Sequence, residues 1–307
     1  MQPGDMASRP RRFEANRPVL ITIRCTLRLE LLALEGMLEL FLRMLATYAG
    51  RCEVDVFAWT VQSNHAHLIV RQRRDGHDPE RRTGIAAFMR NVASVVALHG
   101  NARGTFQGRF LERTYRSHSI GTVADLVRYL AYVHGQREHH RVRGDAHAGA
   151  PSSSAGAVLG GLPDGIVELV PGEPLCVGQT FEARCEWLRT LVARVVELAV
   201  PEERRAEALD VPGTTLTRRQ LKSMRRDAWR AAVDRASAEL GLVGMDADAC
   251  TVLFRPLRAA VGLAACQAAR ERVLAAEWVR NEPDRRRPPK VGSMIRVRVT
   301  YVNRPTG

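Results

Sequence analysis

The apolar positions in the first half of this chain switch between two periods. Val19-Leu-Ile-Thr-Ile-Arg24 is a compact apolar run, and Cys52–Val61 and His65–Arg71 are two more. Each predicts a strand, the first from about Val19 to Cys25. Between the first two, Leu31, Leu34, Met37, Leu38, Phe41, Leu42 and Leu45 recur at helical spacing. They predict a helix from about Leu29 to Tyr48, stopped by Gly50. A second helix is expected from about Ile85 to Leu98, and Phe106–His118 reads as a short strand or extended loop. Val123, Leu126, Val127, Leu130 and Val133 set a third helix behind Thr122, a capping residue with Asp125 three positions on. Strands separated by crossover helices predict an α+β layer with helices against one sheet face, the other face being left for chemistry.

Farther on the pattern turns helical. Residues 144–161 (Gly-Asp-Ala-His-Ala-Gly-Ala-Pro-Ser-Ser-Ser-Ala-Gly-Ala-Val-Leu-Gly-Gly) are small and rich in breakers, and read as a linker or mobile surface loop. Phe181, Cys185, Leu188, Leu191, Val192, Val195 and Leu198 predict an amphipathic helix ending before Pro201. Thr217 and Gln220 form a capping-box pattern for a helix of about 218–240. Leu221, Met224, Ala228, Ala232 and Leu240 lie on its apolar side, and Arg218, Arg219, Lys222, Arg225, Arg226 and Arg230 crowd its first half. At least one more helix is expected near 251–279. In the tail, Ile295, Val297, Val299 and Tyr301 alternate with Arg296, Arg298 and Thr300, as in a strand with one basic face. The expected division is a core domain at 9–143, a linker at 144–161 and a mainly α-helical accessory domain at 162–307.

Composition narrows the partner. The chain has 307 residues, with 46 Lys+Arg against 33 Asp+Glu, a formal charge of +13. That excess suits a partner made of phosphates. Only Lys222 and Lys290 are lysines, and arginine offers bidentate phosphate contacts. A GC-rich genome would explain the choice of arginine but not the excess of charge. No apolar run approaches 18 residues, and the first ten residues lack an apolar signal core, so a cytoplasmic location and no membrane span are expected. The six cysteines contain no C-x-x-C pair and read as reduced thiols.

The chemistry concentrates at His65-Ala66-His67. Residues i and i+2 of a strand share a face, so the two imidazoles project together and can hold a divalent metal. The plain alternative is a pair of surface histidines on an edge strand. Downstream, Tyr132 and Gln136 are four apart and share a helix face, which places a phenol beside a neutral amide. A free phenol, with a pKa of about 10, is a poor nucleophile unless its electrophile is a phosphate polarised by a metal. Tyr129 competes with Tyr132 for that role, and half-buried packing is the bland reading of either.

Taken together, these segments resemble the single-tyrosine HUH transposases, and among them the REP-associated tyrosine transposases. The likeness covers roughly 9–143. It rests on Val19–Arg24, on Trp59-Thr-Val-Gln-Ser-Asn-His-Ala-His-Leu-Ile-Val70, on Phe106-Gln-Gly-Arg-Phe110 and on Tyr132-Val-His-Gly-Gln136, in that order. Gln136 stands where the family commonly has Asn, and Arg137 where it has Pro. The resemblance implies a ferredoxin-like HUH fold that cuts and rejoins single-stranded or hairpin DNA. Tyr132 would form a 5′-phosphotyrosine linkage, with Mg²⁺ or Mn²⁺ held by His65, His67 and Gln136. Arg73, Arg74, Arg109, Arg113, Arg116 and Arg128 are the expected DNA contacts. The resemblance also implies a homodimer in a cytoplasmic, nucleoid-associated setting. Two other readings stand beside it: a regulator that keeps the fold and binds DNA without cutting, and a metal hydrolase for which Asp55 is the nearest base.

Overall fold

The computed structural model describes residues 12–74, 83–102, 109–112, 114–136, 152–172, 180–210, 215–240 and 254–275. Its first half runs β1 (Val19–Arg24), α1 (Met37–Arg51), β2 (Val54–Val61), β3 (His65–Gln72), α2 (Gly84–Ala102), β4 (Arg116–Ser119), α3 (Val123–His134). The four strands form one antiparallel sheet in the order β2-β3-β1-β4. The three apolar runs thus become adjacent strands, as their composition predicts.

Helix α1 differs from expectation at both ends. It starts at Met37 rather than near Leu29, behind Gly36 in the left-handed region (φ 69°), where a residue without Cβ is favoured. The chain before it forms only a 3-10 turn at Leu31–Ala33, where Leu31 and Leu32 are buried and the Leu32 amide donates to the Ser63 carbonyl at 2.9 Å. Nor does Gly50 stop the helix, which runs on to Arg51. Gly50 makes room instead for Arg270, whose Nη2 would sit 3.0 Å from an added Cβ and donates to the Ala46 carbonyl at 2.8 Å.

Helices cover both faces of the sheet, not one. The Ile85 amide of α2 donates to the side chain of Gln72, on the even-numbered face of β3. His67, on the odd-numbered face, meets α3. The face expected to lie bare is therefore roofed, and every residue of β2 is buried.

The second half adds to that roof. It contains the single turn α4 (Ala155–Val158), β5 (Leu169–Pro171), α5 (Phe181–Ala208), α6 (Arg218–Glu239), β6 (Phe254–Pro256), α7 (Leu257–Val261) and α8 (Leu263–Ala275). The expected linker is corrected from residue 152 onward. The Val61 amide donates to Ser152 O at 2.8 Å and the Ser154 amide to Trp59 O at 2.9 Å, so this stretch runs along the outer edge of β2 and satisfies its backbone. The described elements beyond residue 162 also pack on the first half. α5 and α6 pack on α3, β5 packs on β2, and one hydrophobic cluster runs from Val19 to Leu257. Helix α5 continues through Pro201 to Ala208, past the expected stop. Proline costs an interior helix one hydrogen bond, and here buried residues on both sides of it, Ala199, Val200 and Ala206, hold the helix together. The capping box of α6 is present: Thr217 Oγ1 accepts from the Gln220 amide, and Gln220 Oε1 accepts from the Thr217 amide. The tail strand expected near 295–301 and the expected DNA contact Arg113 lie outside the described residues.

Candidate functional site

The site grows from the register of two strands. Thr22 pairs with His67 and Arg24 with His65 across the β1–β3 ladder. Directly opposed residues share a face, so all four side chains project toward α3. The two imidazole centroids are 4.8 Å apart, edge to face at 83°. His67 Nδ1 is 2.9 Å from Thr22 Oγ1, and His65 Nδ1 is 2.7 Å from Asn64 Oδ1. These bonds fix each ring and direct any metal to Nε2.

Helix α3 brings the phenol. Thr122 accepts from the Asp125 amide at 3.0 Å and starts the helix where the sequence places it. Nearly three turns on, the Tyr132 ring meets His67 at 5.0 Å between centroids and 74°. Its other side meets Trp229 of α6 at 5.5 Å and 83°. Trp229 Nε1 donates to the buried Glu203 at 2.8 Å. The Tyr132 phenol is pushed up to about 12, first by burial and then by the Glu203 carboxylate, with Arg24 and a hydrogen bond from Gln136 pulling the other way. Tyr129 sits differently: its ring meets His118 of β4 at 5.4 Å, and the Arg128 guanidinium lies 4.4 Å over it. Tyr132 is thus the tyrosine in ring contact with an imidazole of the His-Ala-His strand.

Gln136 is buried one turn beyond Tyr132, and its Nε2 donates to the Tyr132 carbonyl at 3.0 Å. That bond turns the amide nitrogen toward the backbone. Among the described residues no group of three or more His, Cys, Asp or Glu side chains could hold a metal ion. A cation here would need the amide as third donor. Two pinned imidazoles and an amide oxygen are neutral donors suited to a divalent ion, Mn²⁺ better than Mg²⁺, because Mg²⁺ prefers an all-oxygen shell.

A cavity of ≈ 640 Å³ opens on His67 and Tyr132. Of the expected DNA contacts, Arg116 and Arg128 line it. Arg109 is exposed elsewhere. Arg74 pairs with Glu53 at 3.4 Å, and Arg73 pairs with Asp55 at 2.7 Å and with Glu168. Asp55 also holds Arg71 at 2.8 Å, so the nearest base for a hydrolase is committed to two arginines. Sequence reasoning overlooked Thr22, Arg24 and Asn64, although a Thr and an Arg alternating within an otherwise apolar strand were a usable signal. It had no means of placing Glu203 and Trp229 beside Tyr132.

No protein-family model matches the chain, and no curated protein matches it. A solved REP-associated tyrosine transposase bound to a REP hairpin is similar over 47% of this chain and 80% of its own, at 16% identity and a TM-score of 0.37. A likeness that distant carries no argument about chemistry, which stands on the geometry above. No helix among the described residues is long and apolar enough to cross a membrane.

Proposed function

We propose that this chain cuts and rejoins single-stranded DNA through a tyrosine-linked intermediate, on a ferredoxin-like HUH domain with a divalent cation held by His65, His67 and Gln136. The observation that carries the reading is the ring contact between Tyr132 and His67, 5.0 Å between centroids, joining two segments far apart in sequence. The βαββαβ element order, with strands ordered 2-3-1-4, supports the fold. Tyr132 Oη attacks a phosphodiester phosphorus. A phosphorus–tyrosine bond forms, the bond to the 3′ oxygen breaks, and that oxygen takes a proton and leaves as a hydroxyl. The phenol proton passes to water in the cavity. The reverse attack restores DNA, so no nucleotide triphosphate is consumed. Arg24 and the Gln136 hydrogen bond favour the phenolate against the burial that opposes it. A bound divalent ion would polarise the phosphate and add positive charge beside the phenol. Phenol and imidazoles meet within one chain, so the site does not require a partner subunit, and the homodimer and nucleoid-associated location remain parts of the proposal.

One observation favours the regulator instead: Trp229 packs on Tyr132, and burial keeps the phenol protonated. Both readings meet in one experiment. The full chain is incubated with a labelled hairpin-bearing oligonucleotide and Mn²⁺, then run on a denaturing gel. A covalent adduct is expected, lost in Tyr132→Phe and kept in Tyr129→Phe. Loss in Tyr129→Phe alone would move the nucleophile. Binding without an adduct selects the regulator, and cleavage without an adduct selects a hydrolytic water.

A further inference from the structure

The cavity beside Tyr132 has a second wall that belongs to neither the His strand nor the tyrosine helix. Lys222, Arg225 and Arg226 of α6 line it opposite Arg24 of β1, Arg116 of β4 and Arg128 of α3. Six basic side chains thus share one cavity with a single acidic residue, Glu203, which already accepts the Trp229 indole. Several of these donors are unspent. Arg128 is 3% exposed and pairs with Asp125 through Nη2, yet its Nε and Nη1 have no hydrogen-bond partner among the described residues. The buried Nε of Arg24 and of Arg225 are in the same position. Arg225 does have carboxylate neighbours, Asp210 at 3.5 Å and Glu207 at 3.8 Å, and Arg226 has Asp227 at 3.3 Å, all at the long end of the range. A buried guanidinium with open donors costs stability unless something accepts from it. A phosphodiester can lay its two non-bridging oxygens in the plane of an arginine fork, and a nucleic-acid strand offers such groups in a row.

We infer that this cavity is a phosphate cleft, and that Lys222, Arg225 and Arg226 grip the backbone of the strand whose neighbouring phosphate faces Tyr132. The inference rests on the reading that Tyr132 acts on DNA. It assigns the second half of the chain a direct part in holding substrate, with α6 as the outer wall of the site.

The test measures binding apart from cutting. A fluorescein-labelled single-stranded oligonucleotide is titrated with the full chain in EDTA, over a range of salt, by anisotropy. Lys222→Ala/Arg226→Ala removes two charges from the cleft. Arg218→Ala/Arg219→Ala removes two from the exposed start of the same helix, outside the cavity. The cleft variant should bind about tenfold more weakly and lower the slope of log affinity against log salt by about 2, whereas the control should change binding by less than about threefold. Lys222→Gln/Arg226→Gln repeats the measurement should the alanine variant fail to fold. Equal losses in cleft and control, or no loss in the cleft variants, overturn the inference. Inorganic phosphate competing with the oligonucleotide at micromolar concentration would reassign the cleft to a free phosphate compound and likewise overturn it. Tyr132→Phe separates the two claims, since it should bind normally. An adduct with unaltered binding by the cleft variants sinks the cleft alone, and lost binding without any adduct from the unsubstituted chain sinks strand transfer alone.

Discussion

Two cavities among the described residues are lined by several arginines, and they spend them in opposite ways. In one, of ≈ 560 Å³, Arg71, Arg73 and Arg270 face Asp55 and Glu168, where β2 and β3 meet α8. Asp55 takes Arg71 at 2.8 Å and Arg73 at 2.7 Å, while Glu168 takes Arg73 as well and lies 4.0 Å from Arg270. In the other, beside Tyr132, six basic residues meet one acid, and four guanidinium nitrogens are buried without a hydrogen-bond partner among the described residues. A buried charge that finds its counterion holds the fold together. One that does not holds a potential for something outside the chain. Counting arginines cannot tell the two apart: Arg73 and Arg116 look equally fit for DNA in the sequence, and only one of them lines the site.

The strongest way to break this contrast is to remove the counterion from the paired cavity. Asp55→Ala would strip Arg71 of its carboxylate and leave Arg73 to Glu168 alone. It should cost about 3–5 kcal/mol of unfolding free energy, read by urea denaturation, and unchanged stability would mean that Asp55 does not hold that cavity. A somewhat smaller effect comes from a place where charge is kept out altogether. His134 lies on α3 with its Nε2 3.1 Å from Ser154 Oγ, and burial lowers its pKa from 6.5 to about 4. The unfolded chain then binds the proton more readily than the folded one. Stability is complete above about pH 6.5 and declines as pH falls toward 4, by up to roughly 3 kcal/mol. His134→Asn should flatten that part of the stability profile, and an unflattened profile would trace the decline to other groups. The smallest effect tests the scaffold of the basic wall. Thr217→Ala removes the cap of α6 and should cost about 1 kcal/mol, measured by thermal unfolding, with oligonucleotide affinity nearly retained. A loss of affinity as large as that of Lys222→Ala/Arg226→Ala would show that the position of the helix, not its charges, makes the cleft.

Three strands of the sheet were legible because they are apolar runs of ordinary length, and both ends of the His65–Gln72 strand follow from that pattern within a residue, whereas β4, Arg116-Ser-His-Ser119, is polar and exposed and its bounds did not follow. The starts of α3 and α6 were legible because Thr122 and Thr217 cap in the way their side chains favour, a local interaction independent of the rest of the fold. Helix α1 was misjudged where tertiary contacts overrode periodicity: Leu31 and Leu32 are buried in a 3-10 turn held to Ser63, and Gly50 answers to Arg270 from the far end of the chain. The stretch at 152–161 looked like a linker because small residues make linkers, but small residues also fit closely along a strand edge, as Ser152 and Ser154 do beside Trp59 and Val61.

By itself the sequence determined that two imidazoles share a strand face and that a tyrosine and an amide share a helix face, because those relations are set by backbone periods within a few residues. Tertiary structure alone decided that the faces meet, that Trp229 and Glu203 close over the phenol, and which arginines keep their charge available. Those outcomes depend on distances between segments scores of residues apart, and packing of the whole core sets such distances.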